Sequence, residues 1–155
     1  MILNCLKVFF LSMTPFGELR ISIPIGIFYY HLPFWLSFVV SLVGNILIIF
    51  FLLLFFNFLS SILEERFPFY KEFISLLKEN KRQKYKKSFK ILGSLFLIIF
   101  VAIPLPFSGG WSGSLLASVF RVPFKKSFLL ISLGVFLAGI IILLTSLGVD
   151  LIFHL

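Results

Sequence analysis

The sequence predicts an all-α integral membrane protein built from two inverted pseudo-repeats, each a broken re-entrant helical hairpin followed by one long transmembrane helix. Three observations predict this. Of 155 residues, 60% are apolar, 23 are Phe and only 13% are charged, too little charge to cover a soluble domain of this size. The charges are also gathered: apart from Lys7, the first 63 residues carry only Glu18 and Arg20, and none lies between Lys90 and Arg121. Finally, proline and glycine interrupt the apolar sequence at two places, and each interruption is followed by an unbroken apolar run.

The chain reads as a single membrane domain over 1–155, with repeat A at 1–63, a basic connector at 64–90 and repeat B at 91–155. Residues 3–13 form an apolar run shorter than the ~20 residues a bilayer crossing needs. It stops at Thr14-Pro15-Phe16-Gly17-Glu18-Leu19-Arg20, passes Ile23-Pro24-Ile25-Gly26 and gives a second short run to Tyr30. Proline and glycine break the backbone ladder there. Pro33 then opens a run from Phe34 to Leu63, about 44 Å long as a helix, enough to span with tilt. The N-terminal run lacks a basic lead and a small-residue cleavage site, so it reads as mature protein and not as a secretion signal.

From Arg66 to Lys90 the apolar residues Phe69/Tyr70, Phe73/Ile74 and Leu76/Leu77 recur at helical spacing, with charges between them. This predicts an amphipathic helix in the interface, trailing into the basic run Lys81–Lys87. Between Glu64 and Lys90 nine Lys/Arg face four Glu. A basic loop between membrane segments marks the cytoplasmic face and holds anionic headgroups, so the net charge of +8 points to membrane lipids and not to nucleic acid.

Repeat B follows the same plan. Residues 91–103 are a short apolar run, broken at Pro104-Leu105-Pro106-Phe107-Ser108-Gly109-Gly110-Trp111-Ser112-Gly113. A short run reaches Phe120, and Pro123 opens the span Ser127–Val149. Pro33-Phe34, Ser37-Phe38 and Gly44 match Pro123-Phe124, Ser127-Phe128 and Gly134 at an offset of 90, and Pro15-Phe16 matches Pro106-Phe107 at 91. The first span must end inside at the basic connector. The second starts inside beside Arg121, Lys125 and Lys126, so the spans are antiparallel and the hairpins dip from opposite faces. Two broken tips then meet near the midplane, where transporters build substrate and ion sites. Counting every short run as a crossing instead gives roughly six passes, of which the short ones reach only about 14–20 Å, and this is disfavoured.

The candidate site lies at these breaks. Glu18 and Arg20 each cost about 2.5–3.5 kcal/mol at a bilayer centre, and irregular backbone at that depth must be buried in protein or line water. A carboxylate so placed can load and release a proton, while a guanidinium can hold an anion such as phosphate. Pro15, Pro24 and Gly26 shape the first break. In the second, Pro104, Pro106, Gly109 and Gly113 allow tight turns and exposed amides that suit an anion or polar substrate; Trp111 lines the cavity or packs across the tip.

Other residues read as structural: Trp35 and Tyr29/Tyr30 as an interfacial belt, His31 and His154 as boundary histidines, Cys5 as a small apolar residue. Asn45 is a hydrogen-bonding group for a hairpin or a partner helix. Ser132, Gly134, Ala138 and Gly139 offer close packing within the fold or between subunits. No nucleophile–base pair, metal spacing or phosphate loop is visible, so neither an enzyme nor a cofactor is expected.

At the two breaks the sequence resembles the small multidrug export family. Thr14-Pro15-Phe16-Gly17-Glu18-Leu19-Arg20-Ile21-Ser22-Ile23-Pro24-Ile25-Gly26 is similar to its first motif and Pro104–Gly113 to its second. One departure is Ile21, where the family more often has glycine. The resemblance extends to the DedA-type (VTT-domain) superfamily, whose members are thought to carry facing re-entrant hairpins and to move lipids or lipid carriers. It implies a transporter, with functional weight on Glu18 and Arg20 in the first motif and on Pro104, Pro106, Gly109, Trp111 and Gly113 in the second.

The reading is therefore a secondary transporter of small amphipathic compounds in the cell membrane, multi-pass and proton-coupled through Glu18. The alternative is a lipid or lipid-phosphate flippase or scramblase; a structural membrane protein without transport is a third class. Expected partners are membrane lipids, a small-molecule or lipid substrate and a second copy of the chain in a homodimer, because two spans and two hairpins make a thin wall.

Overall fold

The computed structural model describes residues 1–66, 86–103, 109–120 and 122–153. All regular elements among them are helices: α1 Ile2–Met13, α2 Glu18–Pro24, α3 Phe34–Arg66, α4 Lys86–Ala102, α5 Gly110–Val119 and α6 Phe124–Phe153. The described residues are thus all-helical in their regular structure, as the sequence predicts.

Two segments, Phe34–Leu59 and Phe124–Val149, are long and apolar enough to cross a membrane, and only a third of each is buried inside the protein. The rest of their apolar surface, including Phe51, Phe55, Phe58, Leu129 and Leu144, faces outward. A helix in a soluble core buries that surface; one facing lipid leaves it open. Both long helices begin at a proline. The Ser37 amide bonds the Pro33 carbonyl at 3.0 Å and the Ser127 amide bonds the Pro123 carbonyl at 2.9 Å, so each proline stands where its missing N–H costs nothing.

The helices outrun the apolar segments that predict them. α3 continues to Arg66, two residues before Pro68, and α4 starts at Lys86 instead of 91. Glu, Lys and Arg are good helix formers, so a change in polarity does not by itself end a helix. Both ends of the expected connector are thus continuations of neighbouring helices. The rest of the predicted amphipathic helix lies outside the described residues, as do Pro104, Pro106, Arg121 and His154.

The first break is narrower than the motif 14–26 suggests. It is confined to Thr14–Gly17, and α2 runs through Arg20 and Ile21 to Pro24 without interruption. Pro24 ends the α-helical ladder but not the winding. A π-helical turn, Ile25–Tyr29, follows directly, closed by the Tyr30 amide on the Ile25 carbonyl at 3.0 Å. Proline removes one donor, and a wider turn absorbs the change. Ile21, the bulky residue in the motif, is 42% exposed on α2, away from the turn. It places no constraint on how tightly the chain reverses. Lys7, the remaining charge among the first 63 residues, stands over the Tyr30 ring at 5.4 Å.

The packing exchanges elements between the halves. α1 lies on α3 and α4 lies on α6, while α2 also packs against α6 and α5 against α3. The glycines at offset 90 serve the same kind of contact. A Cβ at Gly44 would meet Ser12 and the Phe9 carbonyl of α1, and one at Gly134 would meet Val101 and the Ile98 carbonyl of α4. A core of Leu19, Ile23, Ile49, Leu53, Val101, Ile131 and Val135 fills the centre. Of the small residues in α6, Gly134 takes up α4, Gly139 receives Phe38 and Leu19, and Ala138 is buried. Their close packing is therefore used inside the fold.

Candidate functional site

A helix that stops inside an apolar bundle leaves its last carbonyls and first amides without partners, and each must find one. At the C-terminus of α1 the Leu11 carbonyl accepts from the Thr14 amide at 3.1 Å and from the Thr14 hydroxyl at 2.8 Å. The Ser12 carbonyl accepts from Asn45 Nδ2 on α3 at 3.2 Å. The Met13 carbonyl accepts from the indole Nε1 of Trp111, 98 residues away, at 3.2 Å. Thr14 also turns the chain, its hydroxyl receiving the Gly17 amide at 2.9 Å.

The start of α5 is satisfied from the opposite direction. Glu18, buried at the first position of α2, aims its carboxylate at the N-terminus of α5. Oε1 accepts from the Trp111 amide at 3.4 Å, and the Gly110 amide also hydrogen-bonds the group. A helix N-terminus presents free amides and positive partial charge, so a carboxylate there is favoured. Gly109 makes room for it: an added Cβ would collide with the carboxylate. Glu18 itself has φ +31°, in a region non-glycine residues rarely occupy and which marks local strain. The two breaks are thus interlocked, the carboxylate of the first on the amides of the second and the indole of the second on the carbonyl of the first.

Glu18, Leu19 and Arg20 of α2 line a small cleft with Asn45 of α3, Gly109 before α5, Val101 of α4 and Val135, Ala138 and Ile142 of α6. Its free space is about 10 Å³, close to what one water needs. Arg20 is half-buried in this lining and acts electrostatically on Glu18. The two charges therefore share a site despite their spacing of two.

The remaining expected residues divide clearly. Pro15 is exposed in the turn, beside Phe16, which is 78% exposed. Pro24 sets the π-turn. Gly26 and Gly113 are close-approach glycines: a Cβ at the first would collide with the Ser37 hydroxyl, and at the second would crowd Val101. Trp111 is not among the residues that line the cleft; it ties the two tips together. Asn45, expected as a hydrogen-bonding group for a hairpin or a partner helix, makes that bond to α1 and also lines the cleft, a position the sequence did not indicate. Its signal was weak, a single amide side chain in an otherwise apolar span. Among the described residues, no group of three His, Cys, Asp or Glu could hold a metal ion.

Comparison with curated proteins and with solved structures returns no match. The sequence model of the family described as "Putative small multi-drug export protein" matches residues 18–141. That span runs from the carboxylate at the first break, through the second, into the last long helix. Together with two apolar helices of membrane-crossing length, this makes the chain a membrane protein belonging to the small multi-drug export family.

Proposed function

We propose that this chain is a secondary transporter moving small amphipathic compounds across the cell membrane, with the cleft at the two breaks as its substrate and proton site. The observation that carries this reading is the buried Glu18 carboxylate of one half, seated on the first amides of the other half's short helix.

Charged Glu18 holds the second tip through charge-assisted hydrogen bonds and the helix end. Taking up a proton removes the charge and weakens both attractions. The cleft has room for about one water, so an organic solute passes only when the tips part. Protonation is what parts them, and release of the proton restores the closed arrangement. The two halves act as inverted repeats, each with a re-entrant pair of short helices. This draws support from the exchange in which α2 packs on α6 and α5 on α3, and from the equivalent roles of Gly44 and Gly134. A second copy of the chain covers the exposed turn at Pro15 and Phe16, since irregular backbone at bilayer depth requires protein or water against it. The basic connector 64–90 lies on the cytoplasmic side.

Proteoliposomes with an imposed pH gradient and a fluorescent cationic amphipath test the reading. The wild-type chain should move the dye with the gradient, and Glu18→Gln should not. Gradient-driven movement by Glu18→Gln at the wild-type rate would remove proton coupling through this residue.

A DedA-like lipid flippase is the second reading, and Arg20 in the cleft lining favours it, since a guanidinium binds phosphate headgroups. Redistribution of a labelled phospholipid between leaflets, lost in Arg20→Gln, distinguishes this reading. Its absence in active proteoliposomes dismisses the reading.

A further inference from the structure

The geometry points to Asn45 as the second partner of Glu18: its Oδ1 is the acceptor built to receive the hydrogen of the protonated carboxyl, directly or across one water. This rests on the reading of Glu18 as a proton carrier and extends it to a residue outside both motifs.

Four observations carry it. Asn45 is 1% exposed, and its Oδ1 has no hydrogen-bond partner among the described residues. A buried polar atom without a partner is costly and calls for an explanation. The orientation of the amide is fixed by chemistry: Nδ2 donates to the Ser12 carbonyl at 3.2 Å, and turning the amide over would set two acceptors against each other. The oxygen is thereby held on the other side, where a Cβ at Gly110 would stand 3.0 Å from it. Gly110 is also one of the two residues whose amides hold the Glu18 carboxylate. Finally, Asn45 and Glu18 line the same water-sized cleft.

Glu18 therefore has a partner set for each protonation state. The anion has donors, the Gly110 and Trp111 amides. The neutral acid gains an O–H and needs an acceptor, and those amides cannot accept. Uptake of one proton forms one O–H bond on Glu18, strips the charge from the hydrogen bonds to α5, and supplies a donor to Asn45 Oδ1. The proton leaves by the reverse step. Arg20 is the other charged residue in the lining; α3, α4, α5 and α6 contribute none to it among the described residues. Loading thus weakens the bond of Glu18 across the halves and gives it a new one with α3, the change that frees the second tip.

Infrared difference spectroscopy of the reconstituted full chain across a pH step tests this. A carboxyl C=O band that appears at low pH and is missing in Glu18→Gln identifies protonated Glu18. In Asn45→Leu that band should shift to higher wavenumber, as expected when the acid loses its acceptor, whereas Asn45→Ser, which keeps an oxygen, should restore part of the shift. A band unmoved in Asn45→Leu overturns the inference. Should Asn45→Leu fail to fold, side-chain ¹³C-asparagine in the wild-type chain gives the same answer, with Asn45→Ser assigning the band. The Asn45 amide C=O should shift in step with the Glu18 band, and an amide that stays put overturns the inference alone. Spectra of wild type and Glu18→Gln that coincide at every pH would overturn this inference and the proton-carrier reading together.

Discussion

Gly109→Ala isolates the bond between the halves, because the substitution has one consequence. Gly109 has φ −98° and ψ −158°, an extended conformation open to alanine, so no backbone strain accompanies the change. The new methyl group would occupy the place of the Glu18 carboxylate, and the carboxylate must leave the Gly110 and Trp111 amides. Hydrogen bonds to a charged group contribute about 1.5–3 kcal/mol each. The Trp111 bond is long at 3.4 Å, which puts it at the low end, and the displaced carboxylate keeps Arg20 nearby. A net loss of about 2–3 kcal/mol is expected. The assay is a double-mutant cycle on stability, measured by reversible unfolding in mixed micelles. Gly109→Ala should cost about 2–3 kcal/mol in the wild type and under about 0.5 kcal/mol in Glu18→Ala, where nothing remains to displace. Additive effects across the cycle would refute the reasoning, since the cost of the methyl group would then owe nothing to Glu18.

Other consequences can be checked the same way. Trp111→Phe keeps the ring but leaves the Met13 carbonyl without the indole donor, and should cost about 1–2 kcal/mol in the same unfolding assay. Gly44→Val and Gly134→Val push α1 and α4 away from their long helices and should each cost about 1–3 kcal/mol, read as lowered melting temperatures in detergent. Gly93→Ala and Gly148→Ala meet nothing within 4 Å and should be neutral or stabilising by up to ~1 kcal/mol through helix propensity alone; a loss at either would place a contact there.

Much of the fold was legible in the sequence because the bilayer restricts it so tightly. Apolar runs of spanning length give α3 and α6, and the prolines at 33 and 123 mark their starts. The breaks were legible as places but not as shapes. Proline and glycine look alike in a sequence whether they end a helix, widen it or let another element approach. Pro24 widens one, and Gly26 and Gly113 serve approach. Glu18 and Arg20 stood out because charge is costly in such a segment. Their partners did not, because the bond from Trp111 to Glu18 joins residues 93 apart. Asn45 needed still more, since the significance of its oxygen depends on where the last turn of α1 places the Ser12 carbonyl. No local pattern encodes that.

The measurement that reaches the central claim most directly is a dipolar distance in lipid between a ¹³C-labelled Glu18 carboxyl and the ¹⁵N-labelled Trp111 amide. At neutral pH a measurable coupling is predicted, since Oε1 of that carboxyl lies 3.4 Å from the amide nitrogen, and it should fade in Gly109→Ala. No coupling in the folded wild-type protein would mean that the two breaks do not meet, and a site shared between them would have to be given up.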